Sequence, residues 1–345
     1  MKKAIKVTLL IAVGMVVMGM GMVFVSLAST GFHPEEWLNT REYVEKTYDI
    51  SEEFTDMDLD IGTHGIIICK ADDGDAHFVC YETDKEFFEV GVENGVLKIG
   101  QKSNYSWTDN IMVINNPEPN KLYLPKEEYD NLTVSVGSGD FEAKTGLKLD
   151  DIEVKVGSGD VEIENITMKN LYARSGSGKI AIAKSDAKSA TLETASGSIT
   201  VNGMEVKETV SAKCSSGSLY FDDITCNSVN IKSGSGSVTA NNIKCEESFE
   251  GNISSGSFKM NEVVADGEFK ARTGSGSIKF ESCDGKSMNL QTSSGSIKGS
   301  VNTVKIFNAT AGSGDIKVPQ DDPNGGECVL HTGSGDISIT YANAK

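Results

Sequence analysis

Through the second part of the chain, apolar and polar residues alternate in short runs. Leu132-x-Val134-x-Val136 is the first clear run, and Val229-x-Ile231 belongs to a later one. A period of two is the pattern of a β-strand with one buried and one solvated face. After a short Gly-Ser-Gly segment the alternation resumes with a bulky apolar residue. Each unit therefore predicts a strand, a tight turn and a second strand.

The Gly-Ser-Gly segment, or a close variant of it, occurs eleven times at intervals of 19 to 21 residues. We call its second glycine the marker of each unit. The markers are Gly139, Gly159, Gly178, Gly197, Gly217, Gly236, Gly256, Gly276, Gly295, Gly314 and Gly335. So constant a period is typical of stacked-repeat proteins, whose units bury their apolar faces against their neighbours.

Aligned on the markers, every unit has serine one position earlier and a bulky apolar residue two positions later. We interpret the serine and glycine positions as a structural turn column. Its clearest members are Ser138, Gly139, Ser158, Gly159, Ser177, Gly178, Ser235, Gly236, Ser334 and Gly335. We expect the glycines to accept φ > 0, and the serine hydroxyls to hydrogen-bond from one unit to the next.

About 20 residues are enough for one coil of a parallel β-helix. The prediction is therefore an all-β fold, a parallel β-helix (β-solenoid) of about eleven coils over residues 131–345. With a spacing of about 4.8 Å between neighbouring strands, the ten intervals would give a rod roughly 48 Å long. Its interior would be one continuous apolar stack.

Residues 56–130 show strand patterns without the full repeat. Leu59-x-Ile61 alternates, and Glu93-Asn94-Gly95 between two apolar runs indicates a β-hairpin. We predict that this segment is a β-rich N-terminal cap. It would cover the open end of the solenoid, because an exposed terminal coil invites edge-to-edge association.

Residues 7–28 carry no charged side chain and follow Lys2, Lys3 and Lys6. Twenty-two helical residues can cross a bilayer core of about 30 Å, and preceding lysines favour a cytoplasmic N-terminus. We predict a single transmembrane helix preceded by a cytoplasmic tail of residues 1–6. The protein would then be a single-pass cell-membrane protein with most of its chain extracytoplasmic.

A cleaved signal peptide is the alternative for the same segment, since Ser26-Leu27-Ala28 fits a cleavage site. The uncharged run is longer than a usual signal core, which favours the uncleaved helix. In both cases the remaining chain is exported. Residues 29–55, which include Trp37, are interpreted as a solvated juxtamembrane spacer.

The formal net charge of -18 makes nucleic acid an unsuitable partner, because phosphate binding needs clustered lysine and arginine. The four histidines, His33, His64, His77 and His331, show no metal-ligand spacing, and no phosphate-binding loop or nucleophile motif is present. We therefore predict no cofactor.

The chain resembles a bacterial family of unknown function, described as putative adhesins with β-strand repeats, which includes LiaG-like envelope-stress proteins. The resemblance extends over about residues 55–345. The matching features are the N-terminal apolar anchor, Met57-Asp58-Leu59-Asp60-Ile61, Glu93-Asn94-Gly95-Val96-Leu97-Lys98-Ile99, Leu122-x-Leu124-Pro125, and the Gly-Ser-Gly-Asp units that begin at Gly137, Gly157, Gly312 and Gly333. It implies an exported β-solenoid near the cell envelope, with adhesion as its suggested role.

Four aspartates that follow markers are the best candidates for metal chemistry. Asp140 and Asp160 fall on neighbouring coils, as do Asp315 and Asp336, so each pair would lie about 5 Å apart. Two carboxylates at that distance could share a calcium ion. The alternative, which we favour, is that they are turn residues accepting backbone N–H bonds.

A polysaccharide-modifying enzyme is a further alternative, since β-helices include such enzymes. Carboxylates alone are weak evidence for it, and no long loop interrupts the repeats to build a cleft. A column of lysines, three positions after the marker, is more simply a solvated strand face. That column contains Lys259, Lys279, Lys298 and Lys317.

An exported chain can be oxidised, so the seven cysteines are candidates for disulfides. Cys226 and Cys245 both lie nine positions after a marker, on neighbouring coils, within reach of each other. Cys69 and Cys80 flank the turn at Asp72–Gly74 and could face each other. Both pairs are predicted as disulfides.

Taken together, the sequence predicts a membrane-anchored, extracytoplasmic and non-catalytic binding or structural module at the cell envelope. Its partners would be the membrane, through the N-terminal helix, and a cell-wall polymer or envelope protein. An accessory role in an envelope-stress signalling system is the alternative reading.

Overall fold

The computed structural model describes residues 18, 19, 21, 22, 25, 41–105 and 117–342. Within this part, 23 strands form one continuous sheet that winds into a solenoid. The predicted all-β solenoid of about eleven coils is confirmed.

The strands fall into four groups along the chain. The first group is β1 (Val44–Ile50), β2 (Asp56–Ile61), β3 (Ile66–Lys70), β4 (Ala76–Glu82), β5 (Glu86–Glu93), β6 (Val96–Ser103) and β7 (Asn120–Leu124). The second is β8 (Glu128–Val136), β9 (Phe141–Ala143), β10 (Lys148–Val156), β11 (Val161–Glu164) and β12 (Thr167–Ser175). The third is β13 (Ile180–Thr194), β14 (Ile199–Cys214), β15 (Leu219–Ser235), β16 (Val238–Ser255), β17 (Phe258–Ser275) and β18 (Ile278–Ser294). The last is β19 (Ile297–Val301), β20 (Lys305–Ala311), β21 (Ile316–Lys317), β22 (Gly326–Ser334) and β23 (Ile337–Tyr341).

Between β8 and β18, successive coils pair in parallel with equivalent positions side by side. Ile180 pairs with Ile199, Ile199 with Leu219, and Leu219 with Val238. The apolar column two positions after the marker points inward and is fully buried at these four residues. The alternation in the sequence thus becomes a core shared from coil to coil, because neighbours in a parallel stack bury one another.

Each coil has two sharp corners, of which the sequence analysis identified one. The second lies six positions after the marker, where the backbone is left-handed with φ between 46° and 67°. The residues at this corner are Asn165, Lys184, Gly203, Asp223, Asn242, Glu262 and Ser282. Four of the seven are Asn, Asp or Gly, the types that tolerate this conformation best, and that enrichment was the available signal.

The solenoid begins earlier in the chain than the first marker, Gly139. The segment Gly62–Gly65 makes the same bend as Gly137–Asp140, since Ile61 pairs with Val136 and Ile66 with Phe141. Strand β2 lies between β6 and β8, and β3 lies between β7 and β9. The outermost N-terminal coil is therefore formed by β6 and β7, which come later in the chain than β2 and β3.

Antiparallel strands cover this N-terminal coil. Strand β5 pairs with β6, β4 pairs with β7, and β1 pairs with β4. The predicted hairpin is confirmed, with Asn94 at φ 53° and Gly95 at φ 78° in its turn. Strand β1 falls within residues 41–55, the described part of the segment interpreted as a spacer.

The C-terminal end is also interleaved. Strand β22 pairs with β18 on one side and β20 on the other, and β23 pairs with both β19 and β21. The last coil in the sequence, β22 and β23, therefore lies between the coil of β18 and β19 and the coil of β20 and β21. As a result, Ser338 separates Lys298 from Lys317, which corrects the expectation that four lysines form an unbroken column. The inserted terminal strand is hydrogen-bonded on both sides, and this holds the chain end in place.

Most of the predicted transmembrane segment, residues 7–28, lies outside the described residues. No helix formed by the described residues is long and apolar enough to span a bilayer.

Candidate functional site: the repeated bend and the outward columns

Close packing between coils explains the marker glycines. A Cβ atom built on Gly178 would overlap the carbonyl oxygen of Gly159, and the same relation holds from coil to coil along the column. Positive φ, the reason expected from the sequence, occurs in this column at Gly256, Gly314 and Gly335. At the other markers the steric contact is what requires glycine, since any Cβ would push neighbouring coils apart.

A ladder of buried hydroxyls stabilises the bends from inside. Ser175 Oγ donates to the Gly159 carbonyl at 2.9 Å and accepts from the Gly178 N–H at 2.8 Å. The same position, three residues before the marker, holds donors to the neighbouring marker carbonyl in several coils. These are Thr194, Thr273, Thr292 and Thr332. Each satisfies a carbonyl that would otherwise be buried without a partner.

The sequence analysis assigned inter-coil hydroxyl bonds to the serines one position before the marker. Those serines are exposed, and among the described residues their side chains take no part in such a ladder. The alternation itself contained the signal for the true position, because Val229-x-Ile231-x-Ser233 places Ser233 on the buried side.

The residue after the marker links neighbouring coils on the outside of the bend. Asp140 Oδ1 accepts from the Asp160 N–H at 2.7 Å, and Asp160 Oδ1 accepts from the Lys179 N–H at 2.7 Å. At the other end, Asp336 Oδ1 accepts from the Asp315 N–H at 3.2 Å. Serine takes the same role in the central coils, as at Ser257.

These bonds give three of the four aspartates a turn role, and the fourth, Asp315, donates its backbone N–H to Asp336. One oxygen of Asp140, Asp160 and Asp336 is engaged by backbone N–H groups, as expected for capping carboxylates. Within the described part of the chain, no group of three or more His, Cys, Asp or Glu side chains is placed to hold a metal ion.

A groove of about 710 Å³ runs across five coils, formed by β8, β10, β12, β13 and β14. It lies near the start of the strand segment that precedes each bend. Its floor includes the buried side chains of Tyr129, Leu149 and Met168. Three of the four lysines that line it are paired with carboxylates within the protein. Lys148 Nζ lies 2.7 Å from Glu128 Oε1, Lys169 Nζ 2.6 Å from Asp150 Oδ2, and Lys188 Nζ 3.3 Å from Glu208 Oε1. The groove therefore presents an elongated surface whose positive charges are mostly compensated.

The N-terminal cap contains a buried polar cluster around Glu86. Its carboxylate accepts hydrogen bonds from Arg41 at 3.2 Å, from Thr63 at 3.1 Å and from Gln101. His64 lies beside it, with Nδ1 4.0 Å from Glu86 Oε1, and that nitrogen has no hydrogen-bond partner. Burial lowers the pKa of His64 below its usual value, so the ring is neutral. The cluster is enclosed in the cap and holds its strands together.

A second buried ion pair lies at the C-terminal crossover. Lys305 Nζ donates to Asp284 Oδ1 at 2.5 Å, to the Gly285 carbonyl at 2.7 Å and to Thr303 Oγ1 at 2.9 Å. All three ammonium hydrogens are thus engaged. Burial raises the pKa of the neighbouring Cys328 thiol to about 12, despite the opposing effect of Lys305, so this thiol is not a nucleophile.

The predicted cysteine pairs differ. Cys226 and Cys245 are register partners, and their thiol sulfurs lie 3.8 Å apart. The hydrogen bond with Cys226 and burial both raise the pKa of Cys245. Cys69 and Cys80 do not form the predicted pair, because β7 lies between their strands β3 and β4. All seven cysteines are free in this structure, and a Cys226–Cys245 disulfide stays a prediction.

A protein-family model matches most of the chain. The Toastrack DUF4097 family model matches residues 54–225 and 204–345. No curated protein matches the chain.

Several solved structures are similar over most of their length. A putative adhesin from Bacteroides fragilis NCTC 9343 is 19% identical, with a TM-score of 0.45, covering 76% of this chain and 99% of its own. A putative adhesin from Parabacteroides merdae ATCC 43184 is 14% identical, with a TM-score of 0.44 and coverages of 74% and 98%. A putative lipid binding protein from Parabacteroides distasonis ATCC 8503 is 19% identical, with a TM-score of 0.41 and coverages of 77% and 99%. At these TM-scores the likenesses support no functional argument for this chain.

Proposed function

Because the chain belongs to the Toastrack DUF4097 family, we propose that it is a non-catalytic binding module exposed at the cell envelope. The membership confirms the resemblance to a putative-adhesin β-repeat family. In this proposal residues 7–28 anchor the protein in the cell membrane, and the solenoid lies outside it. The partner is an extended molecule, a wall polymer or an envelope protein, that lies along the coils.

The regular stacking of the coils is the observation that carries this proposal. Between β8 and β18 the outward positions around each bend are repeated from coil to coil at about 4.8 Å, and the one-residue register shifts lie 9 to 12 positions after the marker. No inserted loop builds a deep cleft there, since successive markers from Gly139 to Gly295 are 19 or 20 residues apart. Long regular faces of this kind suit an extended, repetitive partner better than a small substrate.

The test is a pull-down from envelope extracts with the full-length protein as bait. We expect retention of wall polymer or of one envelope protein. The comparison variant lacks residues 217–255, which is two whole repeats, so the remaining coils can stack in register. We expect the variant to keep its β-structure by circular dichroism and to retain less partner. Unchanged retention would show that the long faces are not the binding surface.

Retention of a membrane sensor in place of a polymer would support the accessory role in signalling. Turnover of an added polysaccharide by the wild-type protein would contradict the proposal that the module is non-catalytic.

A further inference from the structure

One edge of the solenoid carries positive charge, although the whole chain is strongly acidic. This cationic ridge follows the bends of the seven coils with markers Gly178 to Gly295. It includes the positions from four before to three after each marker. Its basic residues are Arg174, Lys179, Lys213, Lys232, Lys259, Arg272, Lys279 and Lys298. Glu193 is the one acidic residue among these positions.

The stacking places like charges side by side. Lys213 pairs in register with Lys232, and Lys259, Lys279 and Lys298 follow one another on three successive coils. Like charges on paired positions of neighbouring strands repel each other and destabilise the pairing. A bound polymer with repeated negative charges would remove that repulsion.

The cations of the ridge are largely uncompensated within the protein. Among the residues described by the structure, seven of the eight form no ion pair, and Lys298 Nζ lies 3.6 Å from Asp336 Oδ2. The groove differs in this respect, because three of its four lysines are paired with carboxylates on neighbouring coils. Acidic residues bound the ridge at both ends, with Asp160 on one side and Asp336 on the other.

The middle of the ridge is rich in hydroxyl groups. The serine before each marker is exposed and has no role in the hydrogen-bond ladders of the bend. These serines are Ser177, Ser196, Ser216, Ser235, Ser255, Ser275 and Ser294. Tyr220 stands beside them with 45% of its surface exposed, flanked by Thr200 and Thr239 on the neighbouring coils. Seven coils at about 4.8 Å spacing make a strip roughly 29 Å long.

We propose that the cationic ridge binds a linear anionic polysaccharide that lies along the solenoid axis. The lysines and arginines on the two flanks attract its charges, and the serine hydroxyls bond its hydroxyls. The Tyr220 ring offers a surface on which a sugar ring can stack. A single-stranded nucleic acid is a poorer fit, since such sites place an aromatic side chain under successive bases. This inference rests on the proposed function and specifies the partner's chemistry.

The test measures binding of the full-length protein to polygalacturonate at two salt concentrations. One variant combines four ridge substitutions, Lys213→Gln, Lys232→Gln, Lys259→Gln and Lys279→Gln. The matched control combines four lysines outside the ridge, Lys98→Gln, Lys102→Gln, Lys148→Gln and Lys169→Gln, so the net charge changes equally. We expect the ridge variant to bind on the order of 10-fold more weakly and the control about as tightly as wild type, with salt weakening wild-type binding.

Several outcomes would overturn the proposal. An equal loss in both variants would show that net charge alone controls binding. Equal binding of neutral dextran would show that the cations are irrelevant, and equal or tighter binding of inorganic polyphosphate or a single-stranded oligonucleotide would exclude a polysaccharide-specific site. If the protein retains envelope material but not polygalacturonate, the ridge assignment is wrong and the proposed function stands. If it retains neither, both are wrong.

Discussion

The two ends of the solenoid differ in how their outermost coil is protected. At the N-terminal end, the outermost coil of β6 and β7 is covered by three antiparallel strands, and its Leu97 and Leu122 are fully buried. At the C-terminal end, the outermost coil of β20 and β21 has no covering strand among the described residues. Its Ile316 occupies the inward column but remains 45% exposed.

A short loop protects the C-terminal edge instead. Asp321 Oδ1 accepts from the Phe307 N–H at 2.8 Å, and the Asp322 N–H donates to the Lys305 carbonyl at 3.1 Å. The loop also contains Pro319 and Pro323, which cannot donate to a strand ladder. An unpaired strand edge invites association with another chain. The Asp321 side chain and the two prolines limit this at the C-terminal end, as the antiparallel strands do at the N-terminal end. The comparison indicates a stable N-terminal end and a labile C-terminal one.

The largest expected effects come from the two buried ion pairs. Glu86→Ala would remove the buried carboxylate that accepts from Arg41, Thr63 and Gln101. Lys305→Ala would leave Asp284 buried without its ammonium partner. We expect each substitution to lower the free energy of unfolding of its own end by about 3–5 kcal/mol. Native-state hydrogen exchange measures this for β4–β6 and for β20–β22 separately.

The control replaces both partners of one pair by apolar residues, Lys305→Met with Asp284→Leu. It should cost less than the single change, because no buried charge is left alone. Loss of protection at both ends in either single variant would contradict the view that the ends open independently.

Two isoleucines in the same inward column test the difference in burial. Ile66 in β3 is fully buried and Ile316 in β21 is 45% exposed. We expect Ile66→Ala to cost about 3 kcal/mol and Ile316→Ala less than about 1 kcal/mol. Urea unfolding combined with hydrogen exchange would check both values. Equal losses would mean that the C-terminal coil is as well covered as the N-terminal one.

Removing the loop contact should loosen the C-terminal edge further. We expect Asp321→Ala to lower the stability of this edge by about 1 kcal/mol, because the Phe307 N–H loses its acceptor, the Asp321 carboxylate. Exchange of the Phe307 amide should rise in Asp321→Ala, whereas Asp321→Asn keeps an acceptor and should change it little. If the two variants behave alike, the side chain does not cap this edge.

The smallest expected effect is a pH dependence confined to the N-terminal end. Burial lowers the pKa of His64 below its unfolded value, while the carboxylate of Glu86 opposes this and Arg41 reinforces it. The unfolded state then binds more protons below about pH 6.5, so acid destabilises the fold and stability is regained above that pH. At pH 6 the loss is at most about 0.8 kcal/mol.

The measurement compares protection of β4–β6 at pH 7.5 and pH 6, corrected for intrinsic exchange rates, in wild type and His64→Phe. The aromatic replacement keeps the ring contact with Tyr43 and should abolish the difference. A pH effect that survives the substitution would assign it to another group.

Much of the candidate site could be predicted from the sequence. The eleven bends, the inward columns such as Ile180 and Ile199, and the lysine column three positions after the marker all follow from one period and one alternation. The left-handed corners and the hydroxyl ladder were missed. Their residue types vary from coil to coil, as Ser175 and Thr194 show in the ladder and Lys184 and Gly203 at the corners.

The sequence by itself determined what one coil is, because strand alternation and tight bends depend on residues close together in the chain. Only the tertiary structure decided the order of coils at the two ends. There β2 lies between β6 and β8, and β23 lies between β19 and β21. It also brought Glu86 to Arg41 and Lys305 to Asp284. These depend on which strands pair across long separations. The local pattern is the same for every coil, so it leaves the choice of neighbour at an end undetermined.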